Sequence, residues 1–343
     1  MRMNFTAASA SLTRLAGATF IALGLASAQA AIAPGSTGNG ELFLAVYDEV
    51  AGKSYTFDIG MTMNSFATWG QQDSGAQRFW SVNDANWGSF LSQVNPGRMQ
   101  WSVMGFDGTG GTAAGGVRLF TTARQGSLDA IGSMTNLQLS NGVGAAGNFV
   151  ASVNTTGTHG AAGEAPNYAL NGSSVNARAD AGFGYFGASG GTGATLNGNA
   201  TFQTGNSLGQ SSWMYNLTRS GSSDATGIAV DSFGNLGSGN AGDGYFGFIF
   251  VDPALYPDSP YVGTYLLSYT LAPALVQNQA LTAQGRARAA LTEYGGDATQ
   301  LITSPVGEFE GYEPPSPVPE PGSLALLGVG LATLALSRRR RRH

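Results

Sequence analysis

Apolar and polar positions alternate along several short stretches of the chain. Leu42 to Val46 and Tyr55 to Ile59 are apolar or aromatic runs, and Glu49 to Ser54, with Gly52, lies between them. Two such runs about a turn sequence predict a β-hairpin. In the second run Tyr55, Phe57 and Ile59 alternate with Thr56 and Asp58, so one face of that strand is expected to be buried. The period then lengthens. Trp87, Phe90, Leu91 and Val94 fall at i, i+3, i+4 and i+7, Asp84 stands where a cap belongs, and Asn95-Pro96-Gly97 ends the run. That spacing predicts a short helix. Alternation returns at Met99, Trp101 and Val103, and Val117 to Thr121 is another strand candidate. Tyr245 to Val251 and Tyr261 to Leu271 read as strands joined by the proline-containing turn Asp252 to Pro260. Leu275 to Tyr294 reads as a helix stopped by Gly295-Gly296.

Between Gly126 and Gly209 the pattern fades. Glycine, alanine, asparagine, serine and threonine dominate, which predicts long loops or irregular strands, with one more helix in the Leu128 to Leu139 part. Asp180 to Gly187 and Asn240 to Gly247 share Gly-Tyr-Phe-Gly and are expected to be duplicated strands. Two copies are too few for a solenoid. Short strands, glycine-rich turns and few helices favour a mostly β secreted domain over residues 31–302, β-sandwich or jelly-roll-like, with one or two short helices.

The two ends differ from this body. Arg2 and Arg14 supply a weakly basic start before an apolar run, Leu15 to Leu25, and Ala28-Gln29-Ala30 supplies the small-x-small pattern read by signal peptidase. Residues 1–30 are therefore expected to be a signal peptide cleaved after Ala30; the run is too short and too glycine-rich for a transmembrane anchor. Residues 303–317 form a proline-rich linker. After it come Val318, Pro319, Glu320 and Pro321, then the apolar stretch Gly322 to Ser337, then Arg338, Arg339, Arg340, Arg341 and Arg342. As a helix that stretch spans roughly 24 Å at about 1.5 Å per residue, against a hydrocarbon core of about 30 Å. Its leucines favour insertion, Gly328, Gly330 and Thr333 oppose it, and the arginines snorkel and stay cytoplasmic. A single transmembrane helix of this kind suits temporary retention in the inner membrane.

Pro319-Glu320-Pro321, an apolar helix and a terminal arginine cluster, in that order and behind a signal peptide, resemble the PEP-CTERM sorting signal. The resemblance covers residues 318–343. It implies processing by exosortase, a membrane protease-like enzyme of Gram-negative bacteria, followed by residence at the cell surface, outer membrane or extracellular matrix. It also implies an exopolysaccharide- or biofilm-associated role. The body resembles the recurring N-terminal region of one PEP-CTERM group through Glu41 to Asp48, Tyr55 to Gly60 and Trp87 through Trp101-Ser-Val-Met-Gly105. That resemblance spans roughly residues 38–270 and brings no enzymatic activity with it.

Charge and chemistry narrow the function further. Residues 31–317 hold nine basic and twenty acidic residues, with Lys53 the one lysine of the chain, so a nucleic-acid partner is disfavoured. Cysteine is absent, which excludes disulfides, thiolate metal sites and a cysteine nucleophile. The body's one histidine, His159, sits in a glycine-rich segment with nothing evident to orient it, so neither a Ser-His-Asp triad nor a histidine zinc site is expected. Asp48, Glu49, Asp58, Asp73, Asp84 and Asp107 could supply a glycosidase pair, but their spacing singles out none and they read as solvated surface groups. Asp231, Asn235, Asn240 and Asp243 cluster in a glycine-rich stretch, and Gly239 to Asp243 weakly resembles a calcium-binding nonapeptide in a single copy, better read as a turn. No cofactor is expected. The sequence thus points to a non-enzymatic surface protein. A carbohydrate-binding module using exposed aromatics such as Trp69, Trp80 or Trp213 is the alternative, and a secreted glycoside hydrolase a weaker one.

Overall fold

The computed structural model describes residues 30–271, apart from 72–76, 125–126, 160, 163–171, 190, 192, 234–243, 255–256 and 258–260. The predicted helix over Leu275 to Tyr294, the linker and the C-terminal transmembrane helix lie outside the described residues. Among the described residues, no helix is long and apolar enough to cross a membrane.

The predicted hairpin forms from β2 (Glu41–Asp48) and β3 (Lys53–Thr62). Its turn uses Gly52 at φ +62°, a conformation that glycine enters without steric cost. β4 is Gln77–Val82, β5 Gln100–Asp107, β6 Arg118–Thr122, β8 Ser173–Ala177, β10 Ser211–Thr218, β12 Gly244–Phe250 and β13 Tyr265–Leu271. They hydrogen-bond in the order β4-β13-β12-β10-β6-β5-β2-β3-β8, with every neighbouring pair antiparallel. Two short strands join the sheet at its side, β9 (Asn206–Ser207) on β5 and β11 (Ala229–Ser232) on β10. β1 (Ala30–Ala31) runs parallel to β7 (Ala161–Ala162) in a separate pair.

The domain is mostly β, as the sequence predicts, but its main strands form one sheet curled into a half-barrel rather than two facing sheets. Curling is what lets a single sheet bury both faces. Leu42, Leu44, Tyr55, Phe57, Trp80, Trp101, Phe120, Phe246, Phe248 and Tyr269, drawn from nearly every strand, meet in one aromatic-rich interior. Two helices close it: α1 (Met63–Gly70), capped by Thr62, inserts Phe66, and α2 (Ala85–Leu91), capped by Asp84 as predicted, inserts Trp87 and Phe90. Phe66 packs against Phe233, Phe246 and Tyr269 with ring centroids 4.8–5.7 Å apart.

The outer face is covered by α4 (Asn136–Val153), which follows the short α3 (Leu128–Gly132). Leu139, Val143, Phe149, Val150 and Val153 pack over Phe43, Met104, Phe106 and Leu119. Thr135 and Gln138 cap α4 reciprocally, each side chain binding the other residue's backbone N–H. So the stretch without clear periodicity holds the longest described helix. Gly142 explains part of the weak signal: a Cβ there would stand 2.9 Å from the Leu196 side chain. The duplicated Gly-Tyr-Phe-Gly does not give duplicated strands. The second copy enters β12, whereas the first is an irregular segment whose Phe186 wedges between Phe43 and Phe149.

Because both faces are covered, β3 is buried on both sides and not on one. Tyr55, Phe57 and Ile59 face the interior, while Ser54, Thr56 and Asp58, all at 0 % exposure, face the covered outer side.

Candidate functional site

Of the residues expected to direct export and sorting, Ala28, Val318, Pro319, Glu320, Pro321 and Arg338 to Arg342 lie outside the described residues. Ala30 is described, as the first residue of β1. The chain enters the body directly after it. Ala31 and Ile32 are buried, and the Asn154 side chain binds both backbone groups of Ile32, accepting from its N–H at 3.1 Å and donating to its carbonyl at 2.8 Å. Ala33 donates its N–H to the Glu41 carboxylate and accepts from the Glu41 N–H at 3.1 Å.

The acidic residues considered for a catalytic pair are not a solvated surface set. Asp73 lies outside the described residues. Asp48 and Asp58 are fully buried and Asp107 nearly so. Asp48 accepts from the N–H groups of Val50, Ala51 and Asn95 and from Arg98. Burial alone would raise its pKa; those donors outweigh burial and hold it below the usual carboxylate range. Asp84 caps α2 and accepts from the Tyr55 hydroxyl at 2.6 Å. Asp107 pairs with Arg118 at 2.8 Å and binds Thr109; against a burial effect that raises it, these bonds bring its pKa to about 2. Glu49 pairs with Arg178 and accepts from Tyr185, Ala188 and Ser189, pinning the loop that follows β8. Each of these carboxylates is committed to a turn, a cap or an ion pair.

Asp58 is different. Its Oδ1 accepts from Gly60 N–H at 2.8 Å, and its Oδ2 is buried with no hydrogen-bond partner among the described residues. Burial first, and the neighbouring Glu41 charge second, push its pKa well above the usual range. Glu41 stands on the same face of the adjacent strand. The register passes from Glu41–Thr62 to Phe43–Asp58 across a bulge in which Gly60 adopts φ +69°. Glu41 is the member of this pair that the sequence reading passes over, and the only signal for it is that Glu41, Phe43 and Ala45 share one face.

His159 is better held than its loop sequence implies. It is 9 % exposed, with Nε2 3.3 Å from the hydroxyl of buried Ser174 on β8. The aromatic platform does not form as expected: Trp80 and Trp213 are buried at 1 % and 8 % exposure, and Trp69 is half-buried beneath Arg78, whose guanidinium lies 5.1 Å from the ring centroid. Asp231 lies in β11 opposite Asn216, whereas Asn235, Asn240 and Asp243 lie outside the described residues. Among the described residues, no cluster of three His, Cys, Asp or Glu side chains could hold a metal.

The class of protein is set not by the mostly β body but by the linear signal at its far end, which marks an exported protein addressed by its C-terminal sequence. The address itself is specific, because residues 317–341 match the family model of the PEP-CTERM protein-sorting motif. The chain is thus an exported protein whose C-terminus is membrane-anchored before processing by exosortase. No curated protein and no solved structure matches it.

Proposed function

We propose that, once released from its tail, the body is a non-enzymatic component of the cell surface or extracellular matrix, associated with exopolysaccharide or biofilm. The observation that carries this reading is the sorting motif at 317–341, since export and exosortase processing support delivery of the body beyond the inner membrane. The internal use of Asp48, Asp84, Asp107 and Glu49 supports a structural part over catalysis: each already binds backbone donors, hydroxyls or arginines. A carbohydrate-binding module draws less support, because Trp80 and Trp213 are in the core. A glycoside hydrolase draws less still, because its two carboxyls must reach the substrate and Glu41 and Asp58 are fully enclosed.

The test is expression of the full chain in matched strains with and without exosortase. Intact-mass analysis should find the C-terminus shortened near Pro319 to Pro321 only where exosortase is present, with the body in the surface or matrix fraction. An intact tail in both strains refutes the sorting step, and turnover in a glycan hydrolysis screen refutes the non-enzymatic reading.

A further inference from the structure

We propose that the signal peptide must be removed before the body folds, because the folded body withholds the Ala30–Ala31 bond from signal peptidase. Cleavage after Ala30 is the premise, and it comes from the Ala28-Gln29-Ala30 pattern.

A peptidase takes its substrate as an extended chain and binds the backbone groups beside the bond it cuts. In the folded body those groups are already in use. Ala30 and Ala31 form β1 and pair with Ala161 and Ala162 of β7. Ala31 is 5 % exposed, and Ile32 is fully buried in the core between the sheet and α4. Asn154, which ends α4, accepts from the Ile32 N–H at 3.1 Å and donates to its carbonyl at 2.8 Å. Ala33 donates its N–H to the Glu41 carboxylate and accepts from the Glu41 N–H at 3.1 Å. Gly35 is buried as well: its carbonyl accepts from the Gly108 N–H at 2.8 Å, and a Cβ on it would overlap the Phe106 carbonyl. Ile32, Ala33 and Gly35 are thus fixed by α4, β2 and the end of β5.

Most of these partners arrive only with folding. Asn154 lies 122 residues beyond Ile32 along the chain, so a chain still being delivered presents the bond bare, and the same chain once folded does not. Cleavage of a folded chain proceeds through its locally open state, and the rate falls with the population of that state. Opening here takes Ile32 out of the core and breaks both of its bonds to Asn154. The reaction itself is hydrolysis: the amide C–N bond between Ala30 and Ala31 breaks, water supplies the second oxygen of the Ala30 carboxylate, and Ala31 keeps the nitrogen as a free amine. A body that folded first would keep its signal peptide and, with its sorting tail uncut, would be held to the membrane at both ends. The order is therefore cut first and fold second, which suits a chain that crosses the membrane unfolded and not one carried across as a folded body.

The experiment incubates the full precursor, residues 1–343, with signal peptidase in detergent and follows the mass of the amino terminus. Three folded forms are compared, each with a thermal melt to show that it is folded: the native chain, a chain with about ten glycine and serine residues inserted between Ala30 and Ala31, and Asn154→Ala. The spacer keeps Ala28-Gln29-Ala30 and moves the bond clear of the body. The native form should be cut at least about 100-fold more slowly than the spacer form. Asn154→Ala, which frees Ile32, should be cut about 10-fold faster than the native form. Native precursor diluted from urea straight into peptidase should be cut at the spacer rate until it folds, and then stall. Equal rates for the native and spacer forms, or no stall after dilution, overturns the proposal. Should the spacer form fail to fold, Asn154→Ala and the dilution arm decide it. The amino-terminal mass of the exported protein tests the premise separately. A start other than Ala31 overturns the cleavage assignment, whereas a start at Ala31 with equal rates overturns the order of events alone.

Discussion

Asp48→Ala should be among the most damaging single substitutions in the body, although it removes only a few atoms. The carboxylate sits at the end of β2 with its side chain fully buried and holds two loops at once. Oδ1 accepts from Val50 and Ala51 in the hairpin turn at 2.9 and 3.1 Å, and Oδ2 accepts from Asn95, before β5, at 3.0 Å. A hydrogen bond to a charged group contributes about 1.5–3 kcal/mol, and donors sharing one acceptor are not additive. Val50 is 74 % exposed, so water can recover its N–H. The expected loss is about 3–5 kcal/mol, or roughly 6–15 °C in melting temperature for a domain of this size. Arg98 approaches the same oxygen at 3.2 Å but is 47 % exposed, so Arg98→Ala should cost less than about 1 kcal/mol. The sign with pH follows from the depressed pKa. The Asp48 contribution is fully present above its unfolded value near 3.9 and disappears as pH falls through the lower folded value. Asp48→Asn should therefore flatten the acid limb of the stability curve. Thermal melts at pH 7 and between pH 2 and 5 check this. An Asp48→Ala protein within about 2 °C of the parent at pH 7, or an Arg98→Ala loss of the same size, would show that the backbone donors do not carry the effect.

Two further substitutions probe the two sides of the sheet. Thr135→Ala removes one half of the α4 capping box and should cost about 1–2 kcal/mol in chemical denaturation, with Gln138→Ala costing less. Phe66→Ala empties the centre of the aromatic interior, where that ring meets Phe233, Phe246 and Tyr269, and should cost about 3–5 kcal/mol with loss of near-ultraviolet circular dichroism.

The elements legible in the sequence are those whose signal is local. The β2–β3 hairpin follows from two apolar runs and Gly52, and α2 from Asp84 and the spacing of Trp87 and Phe90. α4 is obscured because Gly142, Gly144 and Gly147 depress its intrinsic helix propensity. Gly142 is accounted for by a close approach that appears only in three dimensions. The acid positions misled for a related reason. Asp58 on β3 has the alternation of a solvent-facing residue, but its solvent side is covered by other parts of the chain, so a polar face became an interior one. The sorting tail needs no fold to be read, since its information lies in residue order along the chain.

The strand order has a consequence for how the protein reaches its destination. Among the described residues β4, at residues 77–82, has its sheet neighbour in β13, at residues 265–271, and β3 gains its second neighbour from β8. Pairings this distant in sequence slow folding, because loop closure precedes any gain from contact. A chain threaded through a membrane from its amino end therefore cannot close its sheet until Leu271 has emerged on the far side. The sheet therefore closes late: local pieces such as the β2–β3 hairpin can form early, but the half-barrel is complete only with 72 residues, the linker and address label among them, still to follow.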